Sequence, residues 1–154
     1  MQARQRKKSA ARVTRTGPTI VLKRAYEAPR RADGARFLVE RLWPRGLKKS
    51  ALKLEGWLKE VASSAALRQW FSHDPRKWRR FRQRYQAELR EHPDAIEPLL
   101  RAARRGPVTL VFSSKDTRHN NAVALRAYLE ARLRSKRRKR QARPAARGAR
   151  SRPR

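Results

Sequence analysis

The sequence predicts a single compact α/β domain in which a small three-stranded mixed sheet packs against four to five helices. Three short runs of apolar and β-branched residues have the length of strands. Apolar stripes at helical spacing lie between the second and third runs and after the third. A chain of 154 residues is also the size of one domain.

The three strand-like runs cover residues 19–23, 37–42 and 108–112. The first two are separated by a short loop with an Asp33-Gly34 turn pair, which leaves little room for a crossover helix. We therefore expect these two strands to pair antiparallel. The third run is apolar on both faces, which is typical of a central strand.

Five apolar stripes predict the helices, and their aromatic side chains are expected in the core. In chain order the stripes are Leu54, Trp57, Leu58 and Val61; Leu67, Trp70 and Phe71; Trp78, Phe81, Tyr85 and Leu89; Ile96, Leu99, Leu100 and Ala103; and Ala122, Leu125, Leu129 and Leu133. Ser63 or Ser64 is the expected N-cap of the second helix, and Asp74 before Pro75 that of the third.

Charge divides the chain into three parts. The formal net charge is +31, and the twelve acids and all the aromatic residues lie within residues 18–134. Residues 1–17 and 135–154 are basic, free of acids and poor in large apolar side chains. Such segments bury too little surface to offset the entropy of ordering. We therefore predict a domain over residues 18–134 and two disordered basic tails.

Composition excludes several classes of protein. Without cysteine there is no disulfide, thiol nucleophile or thiolate metal site. The three histidines lack metal-ligand spacing and no glycine-rich phosphate loop is present, so we expect neither a metal nor a cofactor. No apolar run reaches the ~20 residues of a membrane span, and no secretory signal is visible. A cytoplasmic protein without a membrane partner is the simplest expectation, and the oligomeric state stays open.

The turn at residues 41–46 is the first candidate site. Arg41 and Arg45 leave a strand end beside a tight turn and could bind a phosphate or carboxylate, with Trp43 and Gly46 beside them. The alternative is structural: Trp43 fills a gap in the core, Gly46 shapes the turn, and the arginines pair with acids.

The segment that follows the third strand is the stronger candidate. Ser113 and Lys115 are suited to an anion at the start of the last helix, where backbone N–H groups and the helix dipole favour negative charge. His119, in the predicted first turn, is the candidate proton acceptor, oriented by Asp116 or Asn120. The alternative for Asp116 is a cap that accepts an N–H from Arg118 or His119.

His73 is a third, weaker catalytic candidate. It precedes Asp74, which is a standard helix start, so the alternative is a solvent-facing residue of the connection.

Three blocks of this sequence resemble the domain of unknown function 488 family, the YeaO-like proteins. The blocks are residues 41–46; residues 70–75 with Trp78, Phe81, Arg82 and Tyr85; and residues 106–110 with Lys115, Asp116 and residues 119–122. The likeness runs from about residue 20 to residue 133. Glu40 stands where the family usually has Asp, and Phe112 where it often has Tyr. The resemblance implies a small bacterial α/β protein and assigns no activity.

Two functions are consistent with these features, and the sequence leaves open whether the domain is an enzyme. The first is a domain that binds or acts on a small anionic ligand carrying a phosphate or carboxylate, using the two candidate turns. The alternative is a nucleic-acid-associated protein. In that case basic residues at 136–140, namely Lys136, Arg137, Arg138, Lys139 and Arg140, would bind DNA or RNA without reading its sequence.

Overall fold

The computed structural model describes residues 17–143, which contain one sheet and five α-helices. The strands are β1 Ile20–Arg24, β2 Ala35–Leu38, β3 Gly56–Trp57 and β4 Val108–Phe112. The helices are α1 Lys49–Leu52, α2 Ala65–Phe71, α3 Trp78–Glu91, α4 Pro93–Arg105 and α5 Asn121–Gln141. Single 3₁₀ turns cover Arg31–Asp33, Lys59–Val61 and Pro75–Lys77.

The sheet has four strands in the order β1-β4-β2-β3, and every neighbouring pair is parallel. The predicted three-stranded mixed sheet is therefore wrong in strand number and direction, although the α/β class is confirmed. β4 lies between β1 and β2, and Ile20 and Ala35 both pair with Val108. Residues 25–34 suffice as a crossover because they bridge a single strand, and ten residues can span up to about 33 Å.

The first predicted helix is replaced by β3 and a 3₁₀ turn. Gly56 is a poor helix former, and it pairs with Phe37 of β2. Trp57 donates its indole N–H to the carbonyl oxygen of Glu40 at 2.6 Å, so its side chain is fixed by β2 rather than by a helical stripe. The remaining four stripes do lie on helices α2 to α5.

Hydrophobic cores lie on both sides of the sheet. Leu110 of β4 belongs to the larger core, which is formed with α2, α3, α4 and α5, and the next residue, Val111, belongs to the smaller one. All five residues of β4 are buried, as predicted for a central strand. Phe81 and Tyr85 of α3 are buried in the larger core, so their predicted core position is confirmed.

A buried ionic cluster fixes the start of β2. Asp33 accepts hydrogen bonds from Lys23 Nζ at 3.1 Å and from Arg36 Nη1 at 2.7 Å. Burial raises the pKa of Asp33, but the Arg30 N–H, Lys23 and Arg36 outweigh burial and hold that pKa below its usual range. Gly34 follows in the left-handed region at φ 64°, and a Cβ there would lie 2.2 Å from the Pro107 carbonyl oxygen.

The last helix extends beyond the predicted end of the domain. α5 continues to Gln141, seven residues past the expected boundary at 134, so the prediction of disorder does not hold for 135–141. Arg, Lys and Gln are good helix formers, and the next proline is Pro144. Of the predicted tails at 1–17 and 135–154, residues 1–16 and 144–154 lie outside the described residues. No helix within 17–143 is both long and apolar enough to cross a membrane.

Candidate functional site

A cavity of about 540 Å³ opens at the carboxyl ends of β2 and β4. Open parallel α/β sheets bind their ligands at this edge. The residues around it come from the loops after both strands, from α2 and α3, and from the start of α5: Glu40, Arg41, Leu42, Ala62, Ser63, Arg68, Phe71, His73, Phe81, Ser113, Ser114, Lys115, Asp116, His119, Asn120 and Asn121. We call this cavity the strand-end pocket.

Aromatic rings form the apolar part of the strand-end pocket. Phe71 at the end of α2 and Phe81 in α3 are 5% and 2% exposed, with ring centroids 4.5 Å apart. Trp78 stacks on Phe81 at 5.6 Å and reinforces that wall from the side. The pocket therefore has an apolar wall next to its polar groups.

Three cationic side chains line the strand-end pocket: Arg41 after β2, Arg68 on α2 and Lys115 after β4. Arg41 donates its Nε–H to the Ser63 carbonyl oxygen at 3.2 Å, which holds the guanidinium against the pocket wall. None of the three forms an ion pair with an acid in residues 17–143.

The carboxylate of Glu40, by contrast, is held by the protein itself. It accepts the backbone N–H of Ser113 at 2.8 Å and the Ser113 hydroxyl at 2.6 Å. These bonds join the ends of β2 and β4 and leave the Ser113 hydroxyl hydrogen committed to Glu40. The site prediction omitted Glu40, although its place at the end of a strand run beside Arg41 was a usable signal.

Asp116 organises the loop before α5. It accepts the N–H of Arg118 at 2.8 Å and that of His119 at 3.0 Å, and its second oxygen lies 2.9 Å from His119 Nδ1. The Arg118 N–H, helped by the two contacts with His119, lowers the pKa of Asp116 against a smaller opposing effect of burial. The two N–H bonds predicted as the structural alternative are present, although they close the loop before α5 rather than cap the helix, and Asp116 also contacts the imidazole.

Asn120, rather than Asp116, caps α5. Its side-chain oxygen accepts the Val123 N–H at 3.1 Å, and its amide donates to the Asp116 carbonyl oxygen at 2.8 Å. The backbone of Asn120 is extended, with φ −144° and ψ 166°, so the helix starts at Asn121. His119 and Asn120 therefore precede the helix, whereas the sequence had placed both in its first turn.

The imidazole of His119 is held beside the strand-end pocket by Asp116 and Trp78. Nδ1 faces Asp116, and the ring packs edge-on against Trp78 at 5.4 Å. Within the described part of the chain no hydrogen bond engages Nε2, which is therefore available to a ligand. In the same range no group of three or more His, Asp and Glu side chains could hold a metal ion.

Comparison with known families identifies the group to which this fold and pocket belong. Residues 19–147 match a family model, DUF488-N3i, described as the inactive DUF488-N3 subclade. The chain belongs to this family. The predicted resemblance to the domain of unknown function 488 proteins is thereby confirmed.

Relatives of the DUF488-N3i chain occur in several bacteria. It is 41% identical over 110 residues to the uncharacterized protein YeaO of Escherichia coli (strain K12), covering 71% of this chain and 96% of the relative. It is 36% identical over 109 residues to the uncharacterized protein Rv3073c of Mycobacterium tuberculosis (strain ATCC 25618 / H37Rv), covering 71% of this chain and 92% of the relative. No solved structure matches.

The structure brings most of the predicted site residues of this DUF488-N3i protein to the strand-end pocket. Seven of them line it: Arg41, His73, Ser113, Lys115, Asp116, His119 and Asn120. Arg68, Phe71 and Phe81 line it as well, although the sequence analysis did not assign them to a site. Arg68 lies on the exposed face of a short helix and carried no sequence signal. The aromatic pair was predicted as core, which it is, and its outer surface forms the pocket wall.

Three predicted ligand-binding residues lie away from the strand-end pocket. Trp43 donates its indole N–H to the Leu47 carbonyl oxygen at 2.6 Å and packs edge-on against Trp57, so the structural alternative holds for it. Arg45 is exposed, and its carbonyl oxygen accepts the Tyr26 hydroxyl at 3.1 Å. Gly46 has φ 76° and shapes the turn. The chain bends over the smaller core directly after Leu42, which separates these residues from Arg41.

His73 reaches the rim of the strand-end pocket through an unusual backbone. Ser72 and His73 both have positive φ, at 44° and 54°, directly after α2. Left-handed conformations are costly for residues with a Cβ. The side chain of His73 is exposed, and its ring centroid lies 6.5 Å from that of Phe71.

Proposed function

We propose that this DUF488-N3i protein binds a small anionic molecule, a nucleoside phosphate, in the strand-end pocket and holds it without converting it. The observation that carries the proposal is a charge asymmetry. The cations of the pocket have no acid paired with them, whereas its acids are occupied by neighbouring donors.

The asymmetry determines the sign of the ligand. Arg41, Arg68 and Lys115 make no ion pair with an acid in the range 17–143. Glu40 accepts two hydrogen bonds from Ser113, and Asp116 accepts hydrogen bonds from its own loop. Guanidinium and ammonium groups beside a partly desolvated cavity favour phosphate or carboxylate, and arginine can bind such groups through two hydrogen bonds.

The size and the apolar wall indicate the rest of the ligand. A volume of about 540 Å³ lies within the range of small-molecule sites. Phe71 and Phe81 line an apolar wall against which a heterocyclic base could pack, while the phosphate lies toward the cations. A nucleotide combines both features, whereas a sugar phosphate has only the anionic one.

The hydrogen bonds within the pocket favour a protein that binds its ligand without converting it. The Asp116–His119 pair resembles a general base with its orienting carboxylate. For covalent catalysis this base would need a protein hydroxyl within hydrogen-bond reach as the nucleophile, and the Ser113 hydroxyl is instead donated to Glu40. The description of the subclade as inactive supports the same choice.

Isothermal titration of the full chain with AMP tests the proposal. Arg41→Ala should weaken AMP binding about tenfold or more, since a charged hydrogen bond contributes about 1.5–3 kcal/mol. Arg45→Ala is the matched control: it removes the same charge from the same turn, outside the pocket, and should leave the affinity unchanged.

Two further ligands and one chemical readout complete the test. Ribose 5-phosphate should bind more weakly than AMP because it lacks the base, and adenosine should bind more weakly because it lacks the phosphate. AMP incubated with the protein should be recovered intact. Equal losses of AMP affinity in Arg41→Ala and Arg45→Ala would show that overall charge causes the effect, and would overturn the proposal. Conversion of AMP would overturn the claim that the ligand is bound without being converted.

A further inference from the structure

We propose that the exposed C-terminal end of α5, residues 134–141, is a DNA-binding element that enters the major groove of duplex DNA as a helix. We call these residues the basic helix end. This inference is independent of the ligand in the strand-end pocket, because it rests on the opposite end of α5.

The basic helix end extends beyond the folded core. α5 has 21 residues and is therefore about 31 Å long. Leu129 is its last fully buried residue, and Leu133 still packs partly against the core. All residues from 134 to 141 are exposed, so the helix has solvent on every side there.

The charge of the basic helix end matches that of a polyanion. Six of its eight residues are cationic: Arg134, Lys136, Arg137, Arg138, Lys139 and Arg140. No acid follows Glu130 in the sequence. At 1.5 Å per residue these charges recur about every 1.8 Å between residues 134 and 140, close to the ~1.7 Å per phosphate charge along a DNA duplex.

The remaining residues favour nucleic acid over a membrane. A helix that lies on a membrane needs an apolar face beside its basic one. The two uncharged residues of the basic helix end are Ser135 and Gln141, so no such face exists there. Arginine and lysine all round a helix are suited to phosphates that approach from both sides, as they do inside a groove.

The dimensions favour DNA over duplex RNA. A helix with its side chains is about 10–12 Å across, and the major groove of B-DNA is about 12 Å wide. The major groove of A-form RNA is deep and too narrow for side-chain reading. A helix exposed on all sides over two turns can enter the DNA groove without collision from its own domain.

Binding should also stabilise the basic helix end. Arg134 and Arg138 are four residues apart, as are Lys136 and Arg140, and like charges at this spacing destabilise a helix. Phosphates between these side chains would remove the repulsion. Hydrogen exchange in this segment of the full chain should therefore slow when DNA is added.

A substitution that breaks the helix without changing the charge tests whether DNA binding requires the helical conformation. Ser135→Pro removes a helical hydrogen bond and breaks α5 just past its packed part, whereas Ser135→Ala keeps the helix. We expect Ser135→Pro to weaken binding of a labelled 20-base-pair duplex, measured by fluorescence anisotropy, and to reduce the steepness of its salt dependence by about two phosphate contacts. Equal binding by the two variants would overturn the proposal.

A second pair of variants separates position from charge. Lys136→Gln/Arg138→Gln/Lys139→Gln alters the basic helix end. Arg31→Gln/Lys48→Gln/Lys49→Gln removes the same residue types from other exposed positions, so the two proteins have equal net charge. The first variant should reduce the slope of log affinity against log salt by up to about 2.7, and the second should leave it near the wild-type value. Equal reductions would contradict a localised binding element.

Two other polyanions test the choice of partner. A 20-base-pair RNA duplex and vesicles of phosphatidylserine and phosphatidylcholine are assayed at the same salt concentration. We expect the protein to bind the DNA duplex more tightly than the RNA duplex or the vesicles. We also expect Ser135→Pro and Ser135→Ala to bind the RNA duplex and the vesicles equally. Stronger, helix-dependent binding to RNA or to vesicles would assign the surface to that partner and overturn the DNA proposal.

Discussion

The two ends of α5 show how one helix can serve two different environments. Its first residue, Asn121, lies at the strand-end pocket, where Asn120 caps the helix and the loop before it is held by Asp116. Its last turns carry only arginine, lysine, serine and glutamine and touch no core. Packing against the sheet thus fixes the first half in position, whereas the last turns extend past the core with residues of good helix propensity.

The comparison implies that substitutions in the packed part of α5 change the free energy of unfolding strongly, and that those in the basic helix end change it little. Leu129 is fully buried, so Leu129→Ala should lower the free energy of unfolding by about 2–5 kcal/mol. Lys139→Ala should change it by less than about 0.5 kcal/mol. Urea unfolding of the two variants measures the difference, and similar values for both would remove the distinction between the halves.

The cap at the pocket end should have an intermediate effect. Asn120→Ala removes the acceptor of the Val123 N–H and the donor to the Asp116 carbonyl, and should cost about 0.5–2 kcal/mol. The same variant should weaken AMP binding, because the loop that carries His119 loses its anchor. A variant that is destabilised but binds AMP with unchanged affinity would show that the loop geometry does not depend on the cap.

The contribution to stability from the pocket end of α5 should depend on pH. The lowered pKa of Asp116 means that its ionised form stabilises the fold. That contribution is complete above the pKa of the unfolded chain, about 4, and is lost as the pH falls through the lower folded value. Asp116→Asn should therefore be less stable than wild type at pH 7, and the gap should narrow as the pH falls below the pKa of the unfolded chain. Unfolding curves from pH 7 to pH 2.5 provide the measurement, and a gap independent of pH would exclude this linkage.

We expect the smallest change in stability for a substitution in the basic helix end. Ser135→Ala replaces a moderate helix former with the best one at an exposed position, and should stabilise the helix by a few tenths of a kcal/mol. Hydrogen exchange of the segment resolves so small a change better than global unfolding does. Faster exchange in Ser135→Ala would contradict a helix that depends on propensity.

The sequence predicted local features better than the arrangement of strands. The helices α2 to α5, the cap at Ser64 and the buried β4 follow from spacing and capping residues. Asp74 caps the 3₁₀ turn Pro75–Lys77 that precedes α3, whereas the N-cap of α3 itself is Lys77. Strand order depends on which run lies between the others, and a loop of ten residues leaves either direction open. The two-residue strand β3 is fixed by pairing with β2 rather than by any pattern of its own.

The candidate site was predictable to the extent that strand ends converge. In a parallel sheet the loops after β2 and β4 lie at the same edge, which brings Arg41 and Lys115 to one pocket. Arg45 was a reasonable prediction from the same turn, but the chain direction after Leu42 carries it away. Arg68 comes from a helix that is distant in sequence, and only the packing of α2 places it at the pocket.

The most direct test of the account is hydrogen exchange by mass spectrometry on the full chain with each ligand in turn. We predict that AMP slows exchange in residues 113–121 and leaves 134–141 unchanged, whereas duplex DNA does the reverse. The basic helix end begins about 20 Å from Asn121 along α5, about twice the screening distance of ~8–10 Å at physiological salt, so separate footprints are expected. A single footprint shared by both ligands would contradict the account.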